Sequence, residues 1–282
     1  MSNEALNSFV RECNKCLVSQ STGDIQNAME YFEFRGITKE TIKLHCLGYC
    51  STDMILPEEI KNFGSELNKD LGKDFGRDLS YFISGRIIVP VYDEFGEIVG
   101  LATRKPTFQS GETWWNLPAP FYKGRHLFLL NRAKKSIFDN NKSYIVEGYM
   151  DALYLFQKGL TNVVAIMGTA LTARKIALIA RYCDNVCSCF DVDKNEAGQI
   201  ATNKAICQIY KLNFCETISM VKDLPIGEDP DVFVQKNGLK ALLDKEKILT
   251  VVEMKKMCED VAMEQKRKIL NAKEQQLKFH KK

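Results

Sequence analysis

The sequence lacks the features of a membrane or secreted protein. No apolar run among its 282 residues is long enough to span a bilayer, and residues 1–20 contain no signal segment with a charged start and an apolar core. Ten cysteines without such a segment predict reduced thiols in a cytosol. No Gly-x-x-x-x-Gly-Lys-Ser/Thr loop is present, which excludes a P-loop ATPase. We therefore expect a cytoplasmic protein without a membrane partner or an ATP-driven motor.

Zinc ligands at a recognisable spacing are also missing. Cys13 and Cys16 form a single Cys-x-x-Cys pair. The next candidate ligands, His45, Cys46 and Cys50, do not have the spacing of a zinc ribbon. We therefore expect no zinc.

A strong excess of one charge is absent as well. The net charge is +3, which is too small to indicate a nucleic-acid partner. From Lys236 to Lys282, however, there are 13 basic and 7 acidic residues. This basic tail is compatible with phosphate contact and equally with a solvated helix face.

The second half of the chain alternates between short apolar runs and amphipathic segments. The predicted strands are 143–146, 162–167, 185–190 and 215–221, and the predicted helices are 149–158, 173–182 and 197–212. Such alternation predicts a parallel sheet with helices on both faces. Beyond Asp231, apolar residues recur at helical spacing from Leu239 to Met257, and we expect helices there.

Acidic residues cluster where this alternation predicts strand ends and helix starts. The members are Glu147, Asp151, Asp191, Asp193, Asp229 and Asp231. Single carboxylates at such positions commonly cap helices. Here, however, several like charges converge at one end of a sheet, where they repel unless a cation compensates them. The pattern favours a site for hard divalent cations.

The first half of the chain combines predicted helices with a β-hairpin. Helices are expected over 25–34 and 39–45, and the hairpin strands over 87–91 and 98–104. Basic and polar residues accompany Trp114 and Trp115 on this β segment, namely Arg86, Arg104, Lys105, Asn116, Lys123 and Arg125. By composition, this segment is either a surface for nucleic acid or nucleotides, or an exposed rim over two packed tryptophans.

Several segments resemble the DnaG-type primases of bacteria and phages. Residues 146–153, Val-Glu-Gly-Tyr-Met-Asp-Ala-Leu, resemble the glutamate motif of the toprim domain in that family. Residues 164–172 resemble the family segment that ends in Gly-Thr-Ala-Leu-Thr, and 190–193 resemble its Asp-x-Asp motif. Asp229 and Asp231 match a late acidic pair, and 121–124 resemble its Phe-x-Lys-Gly element. This ordered agreement is far more specific than any single acidic pair.

The resemblance implies an α/β fold in three parts. Residues 1–140 would form an α+β N-terminal subdomain, 141–235 a toprim parallel-sheet domain, and 236–282 a helical, basic extension. Glu147, Asp191 and Asp193 would be catalytic and bind Mg²⁺ or Mn²⁺, with two ions expected. Asp151, Asp229 and Asp231 would complete the acidic rim.

The basic residues would then hold the template or the nucleotide. In DnaG-type primases the positions that match Arg86, Arg104, Asn116 and Lys123 line the channel beside the metal site. Where the family usually has a lysine, this chain has Thr113, so either Lys105 or Arg125 compensates, or the nucleotide contact is altered at that point.

The activity that the resemblance implies is the synthesis of short RNA primers on single-stranded DNA from ribonucleoside triphosphates. A replicative helicase, and a separate zinc-bearing or template-recognition protein, are the implied partners. Two alternatives remain open, a metal-dependent nuclease of the toprim family and a non-catalytic DNA-binding subunit associated with a helicase. The hairpin and the Phe-Tyr-Lys-Gly segment favour the primase.

Overall fold

The computed structural model describes residues 3–19, 23–58, 60, 80–108, 113–117, 123–168, 170–191 and 196–279. Its helices are α1 (Asn3–Ser19), α2 (Asp24–Phe34), α3 (Lys39–Leu44), α4 (Ser80–Ile83), α5 (Leu130–Asp139), α6 (Tyr149–Gln157), α7 (Ala173–Ile179), α8 (Glu196–Leu212), α9 (Pro230–Asn237), α10 (Leu239–Leu243) and α11 (Val251–Phe279). Its strands are β1 (Gly48–Cys50), β2 (Arg86–Tyr92), β3 (Ile98–Arg104), β4 (Trp115–Leu117), β5 (Ser143–Val146), β6 (Val163–Ala165), β7 (Asn185–Ser188), β8 (Thr217–Val221) and β9 (Glu246–Ile248). Asp193, Thr169 and most of segment 51–80 lie outside the described residues.

The first sheet is an antiparallel meander in the order β1-β2-β3-β4. The predicted hairpin is confirmed as β2 and β3, with Ile87 opposite Arg104. Asp93 closes the turn because its carboxylate accepts hydrogen bonds from the backbone amides of Phe95 and Glu97. The strand β1 was not predicted, since three residues are too few to show a period of two.

The second sheet has the order β6-β5-β7-β8-β9 and is parallel except for β9. The predicted α/β alternation is therefore confirmed. The chain leaves β5 toward β6 and then returns to the other side of β5 to form β7. Open α/β sheets bind their ligands outside the carboxyl ends of the strands at such a reversal. The fold thus marks the end of β5, next to β7, as the place for a site.

Helix α6 is buried on all sides, from Tyr149 through Leu155. A helix that is apolar all round belongs in the centre of a core. Its side chains share one hydrophobic cluster with Val89 of the first sheet and Val146 of the second. At its far end, Gln157 donates a hydrogen bond to the carbonyl of Gly36 at 2.9 Å. The helix therefore connects the two sheets and the N-terminal helices.

The long helix α11 packs along α8 and carries charged residues along its length. In the described part of the chain, no helix combines the length and the apolar character needed to cross a bilayer.

Strand β9 interrupts the helical region predicted after Asp231. The side chain of Glu246 accepts hydrogen bonds from Lys142 at 2.5 Å, Tyr144 at 2.8 Å and Ser219 at 2.5 Å. The strand also pairs antiparallel with β8, with Glu246 opposite Val221. These contacts come from distant parts of the chain, so the local helical period could not reveal them.

We predict that Glu246→Gln lowers the free energy of unfolding by about 2 kcal/mol at pH 7, because it weakens charge-assisted hydrogen bonds. Burial raises the pKa of Glu246, but hydrogen bonds from Lys142 and Ser219 outweigh burial and lower the pKa below its ordinary value of 4.5. A carboxyl group whose pKa is lower in the folded than in the unfolded protein stabilises the fold at pH values above the unfolded-state pKa. This stabilisation is lost as the pH falls through the folded-state pKa.

The difference between wild type and Glu246→Gln should therefore shrink as the pH falls below about 4.5. Urea denaturation at several pH values measures it. Asp139→Asn, which changes an exposed carboxylate, is the control and should change stability little. A pH-independent difference would contradict this account.

Candidate active site

The carboxyl ends of β5 and β7 bring two predicted carboxylates to one crevice. Glu147 follows β5 directly, and Asp191 lies three residues beyond β7. Both side chains are half-buried and line the same cleft, which has a volume of about 520 Å³. The structure thus brings together Glu147 and Asp191, as the sequence analysis expects.

Asp151 is held in place by the turn that starts α6. Its carboxylate accepts a hydrogen bond from the backbone amide of Gly148 at 3.2 Å and another from the amide of Asp231 at 3.4 Å. A Cβ atom added to Gly148 would lie 2.6 Å from an oxygen of this carboxylate, so a larger residue would displace the carboxylate. The Glu-Gly-x-x-Asp spacing therefore sets the position of a buried carboxylate.

Three carboxylates from two helices form a compact acidic cluster. Oxygen atoms of Asp151, Asp229 and Asp231 all lie within 4.8 Å of one another. Asp231 is fully buried, whereas the side chain of Asp229 is 41% exposed. Asp229 precedes Pro230, which starts α9 and has the fixed φ suited to the first helical position.

Arg35, at the end of α2, provides the positive charge next to this cluster. Two of its guanidinium nitrogens lie 2.5 and 3.0 Å from one carboxylate oxygen of Asp231. One of these nitrogens also lies 3.8 Å from a carboxylate oxygen of Asp229. Burial alone would lower the pKa of Arg35, but the carboxylate of Asp231 raises it overall. Arg35 therefore remains charged and offsets part of the buried negative charge.

The compensation is incomplete at Asp151. Burial raises the pKa of Asp151 well above its ordinary range, and the nearby carboxylates of Asp231, Asp191 and Asp229 raise it further. Arg35 acts in the opposite direction and does not cancel these effects. A cluster with this surplus of negative charge is suited to bind a cation.

Aromatic and cationic side chains form the walls of the cleft. The lining includes Tyr31, Phe34, Phe108, Trp114, Arg104 and Asn116, together with the acidic residues. The hydroxyl of Tyr149 donates a hydrogen bond to the side-chain oxygen of Asn116. This bond holds an amide of the first sheet beside the start of α6.

The predicted nucleic-acid-binding residues separate into different environments. Arg104 is half-buried in the cleft wall, and Lys105 and Arg125 are exposed outside the lining. Arg86 is 3% exposed, with its guanidinium 4.5 Å over the ring of Trp115, a placement that favours a packing role. Lys123 belongs to a 3₁₀ turn, and its side chain is outside the described part.

The turn after β6 adds an unusual backbone to the cleft. Met167 and Gly168 have φ values of 61° and 65° and both line the cleft. A buried non-glycine residue in the left-handed region costs about 1 kcal/mol, and such residues concentrate at functional sites.

Sequence reasoning gave no site role to Arg35 or Tyr149. Tyr149 lies within a segment that carries the primase resemblance, and the partners of both residues are distant in the sequence. Arg35 and Asp231 are 196 residues apart. The available signal was chemical, since buried carboxylates require a cation from elsewhere in the fold.

The comparisons agree with this geometry. Residues 15–134 match the family described as the DNA primase catalytic core, N-terminal domain, and residues 144–234 match the Toprim-like family. A DNA primase of Clostridium acetobutylicum is 36% identical over 223 residues, which cover 77% of this chain. The chain belongs to the DnaG-type primase cores.

Solved structures of DnaG-type primases show the same fold. The zinc-binding and RNA polymerase domains of the Aquifex aeolicus primase match with a TM-score of 0.72 and 29% identity over 88% of this chain and 63% of that one. A DnaG primase catalytic domain bound to ssDNA matches with a TM-score of 0.66 and 28% identity, covering 86% and 79% of the two chains. The chain spans 36% of the length of the Clostridium primase.

We predict that Arg35→Met lowers the free energy of unfolding by about 3 kcal/mol, because it leaves the buried Asp231 without its counter-charge. Denaturant unfolding measures the effect. The double variant Arg35→Met/Asp231→Asn should be more stable than Arg35→Met, since it removes the uncompensated charge. Lys135→Met, which breaks an exposed ion pair, should cost less than about 1 kcal/mol. Equal losses in Arg35→Met and Lys135→Met would overturn the compensating role of Arg35.

Proposed function

We propose that this chain catalyses DNA-templated synthesis of RNA primers. One observation carries the proposal. The carboxylates Glu147, Asp151, Asp191 and Asp229 share a single cleft with Arg104 and Asn116, in a chain of the DnaG-type primase core family. Nucleotidyl transfer concentrates negative charge at the transferring phosphate, so it requires cations and exact positioning more than covalent chemistry.

The acidic cluster fits Mg²⁺ or Mn²⁺. Both are hard cations that prefer carboxylate oxygens, and oxygens of Asp151, Asp229 and Asp231 converge within 4.8 Å. We propose that two ions bind, with Glu147, Asp191 and Asp193 as further ligands by family resemblance. When bound, such ions stabilise the charge that develops on the attacking and leaving oxygens.

The other residues of the cleft are assigned by position and charge. Glu147, half-buried beside the cluster, accepts the proton of the attacking hydroxyl. Arg104 and Asn116 contact the nucleotide, and the hydrogen bond from Tyr149 fixes the orientation of Asn116.

The remaining basic residues are assigned to the template. Lys105 and Arg125 are exposed and suited to contact the backbone of single-stranded DNA, and Lys123 joins them by resemblance. The similar DnaG catalytic domain bound to ssDNA supports this template. A replicative helicase remains a proposed partner.

We retain the proposed division into 1–140, 141–235 and 236–282 with one amendment. Because β9 pairs with β8, the toprim sheet extends to Ile248.

Divalent cations should stabilise the protein against unfolding. With Mn²⁺ at about 100 times its Kd, we expect about 2.7 kcal/mol of stabilisation, read as a rise in Tm that EDTA reverses. Asp229→Asn should remove most of this rise, because Asp229 is the most accessible member of the acidic cluster. The control Asp139→Asn should keep it, and an unchanged rise in Asp229→Asn would argue against binding at the cluster.

Primer synthesis tests the proposed activity directly. The full chain, given single-stranded DNA, labelled ribonucleotides and Mg²⁺ or Mn²⁺, should produce short RNA. Glu147→Gln and Asp191→Asn should each reduce the rate by about 100-fold or more, with the unfolding midpoint retained, because each removes a carboxylate that we assign to metal binding or proton transfer. Asp139→Asn serves as the active control.

Shortened template without new RNA would instead establish the nuclease. If neither product forms even in the presence of a helicase, the DNA-binding subunit would be the remaining alternative.

A further inference from the structure

Two phenylalanines are exposed at the cleft, although large apolar side chains are normally buried. Phe34 is 68% exposed and Phe108 is 57% exposed. Their ring centroids are 5.3 Å apart with the planes at 81°, an edge-to-face contact. Both rings line the cleft that contains the acidic residues. They form an apolar surface in a cleft that also contains charged residues, and we call these two residues the Phe pair.

Two arginines line the cleft together with the Phe pair. Phe34 is the last residue of α2 and directly precedes Arg35, which contacts the acidic cluster. The ring of Tyr31 is 6.4 Å from Phe108, and the guanidinium of Arg104 is 5.3 Å from the same tyrosine ring. An apolar surface near cations fits a ligand that has both a flat ring and anionic groups.

A second aromatic group lines the same cleft. Trp114 packs on Tyr149 with ring centroids 5.2 Å apart. The cleft volume of about 520 Å³ is within the usual range for small-molecule sites. One cavity thus contains features for each part of a metal-bound nucleotide. Aromatic rings suit the base, arginines suit the phosphates, and the acidic cluster suits the metal ion.

We propose that the Phe pair is the stacking surface for the base of the ribonucleoside triphosphate whose phosphates lie at the acidic cluster. This inference rests on the proposed primase function and adds positioning residues to it. Every base has a π-face, so stacking here would hold all four nucleotides while leaving base choice to the template. Purines offer more ring area than pyrimidines and should depend on the Phe pair more strongly.

The proposal assigns the Phe pair to the incoming nucleotide rather than to the template. Phe34 is covalently next to Arg35, and Arg35 touches Asp229 and Asp231. A base on this surface therefore belongs to the nucleotide nearest the acidic cluster. The exposed basic residues Lys105 and Arg125, which we assign to the template, lie outside the cleft lining.

The test compares Phe34→Ala, Phe108→Ala and the double variant with Phe138→Ala. Phe138 is 69% exposed on α5 and does not line the cleft, so it is a matched control. Steady-state kinetics gives KM and kcat for each nucleotide, and fluorescence anisotropy gives the affinity for single-stranded DNA. Equilibrium binding of labelled ATP with Mn²⁺ measures nucleotide affinity without requiring primer synthesis.

We expect the double variant to raise KM for ATP and GTP about tenfold, with smaller increases for CTP and UTP. The kcat values, the affinity for DNA and the Mn²⁺-dependent rise in Tm should stay within twofold of wild type. Phe34→Trp and Phe108→Tyr should keep KM close to the wild-type value, because they retain an aromatic surface. Phe138→Ala should match wild type.

An unchanged KM in the double variant, or the same change in Phe138→Ala, would overturn the proposal. A loss of DNA affinity with nucleotide affinity intact would also overturn it and would assign the Phe pair to the template. The direct ATP measurement separates these results from failure of the proposed function. Wild type that binds ATP through the Phe pair but makes no RNA would refute the primase activity alone.

Discussion

The placement of buried carboxylates around a single guanidinium constrains the rest of the site. Asp231 is fully buried and is tolerated because Arg35 reaches it from α2. This contact requires that the end of α2, the start of α6 and the start of α9 meet at one point. The remaining charge surplus raises the pKa of Asp151 and supports the cation site that we propose at the cluster. On that proposal, stability and cation binding depend on the same few charges.

Helix α6 turns this local arrangement into a property of the whole fold. It starts at Gly148, directly after Glu147, and its first turn holds both Asp151 and Tyr149. Asp151 belongs to the acidic cluster, while Tyr149 donates a hydrogen bond to Asn116 of the first sheet. The fixed geometry of one helical turn thus sets the positions of groups that contact different parts of the chain.

The sequence predicted what local patterns determine. Helices α2 and α6, the β2–β3 hairpin and the parallel strands followed from periodicity and turn residues, and the confirmed fold contains them. The carboxylates of the crevice followed from their positions after strands. Contacts between residues far apart in the chain determine the ion pair of Arg35, the packing of Arg86 against Trp115 and the pairing of β9. Such contacts have no local signature, so they emerged only from the folded arrangement.

The position of β9 has a consequence for self-association. A parallel sheet that ended at β8 would leave a row of unpaired backbone groups, which is a template for pairing with another molecule. Strand β9 covers that edge antiparallel and exposes the charged side chain of Lys247 in a strand of three residues. A short, charged outer strand is a poor template for further pairing. The residues that complete the sheet thereby also discourage its growth into aggregates.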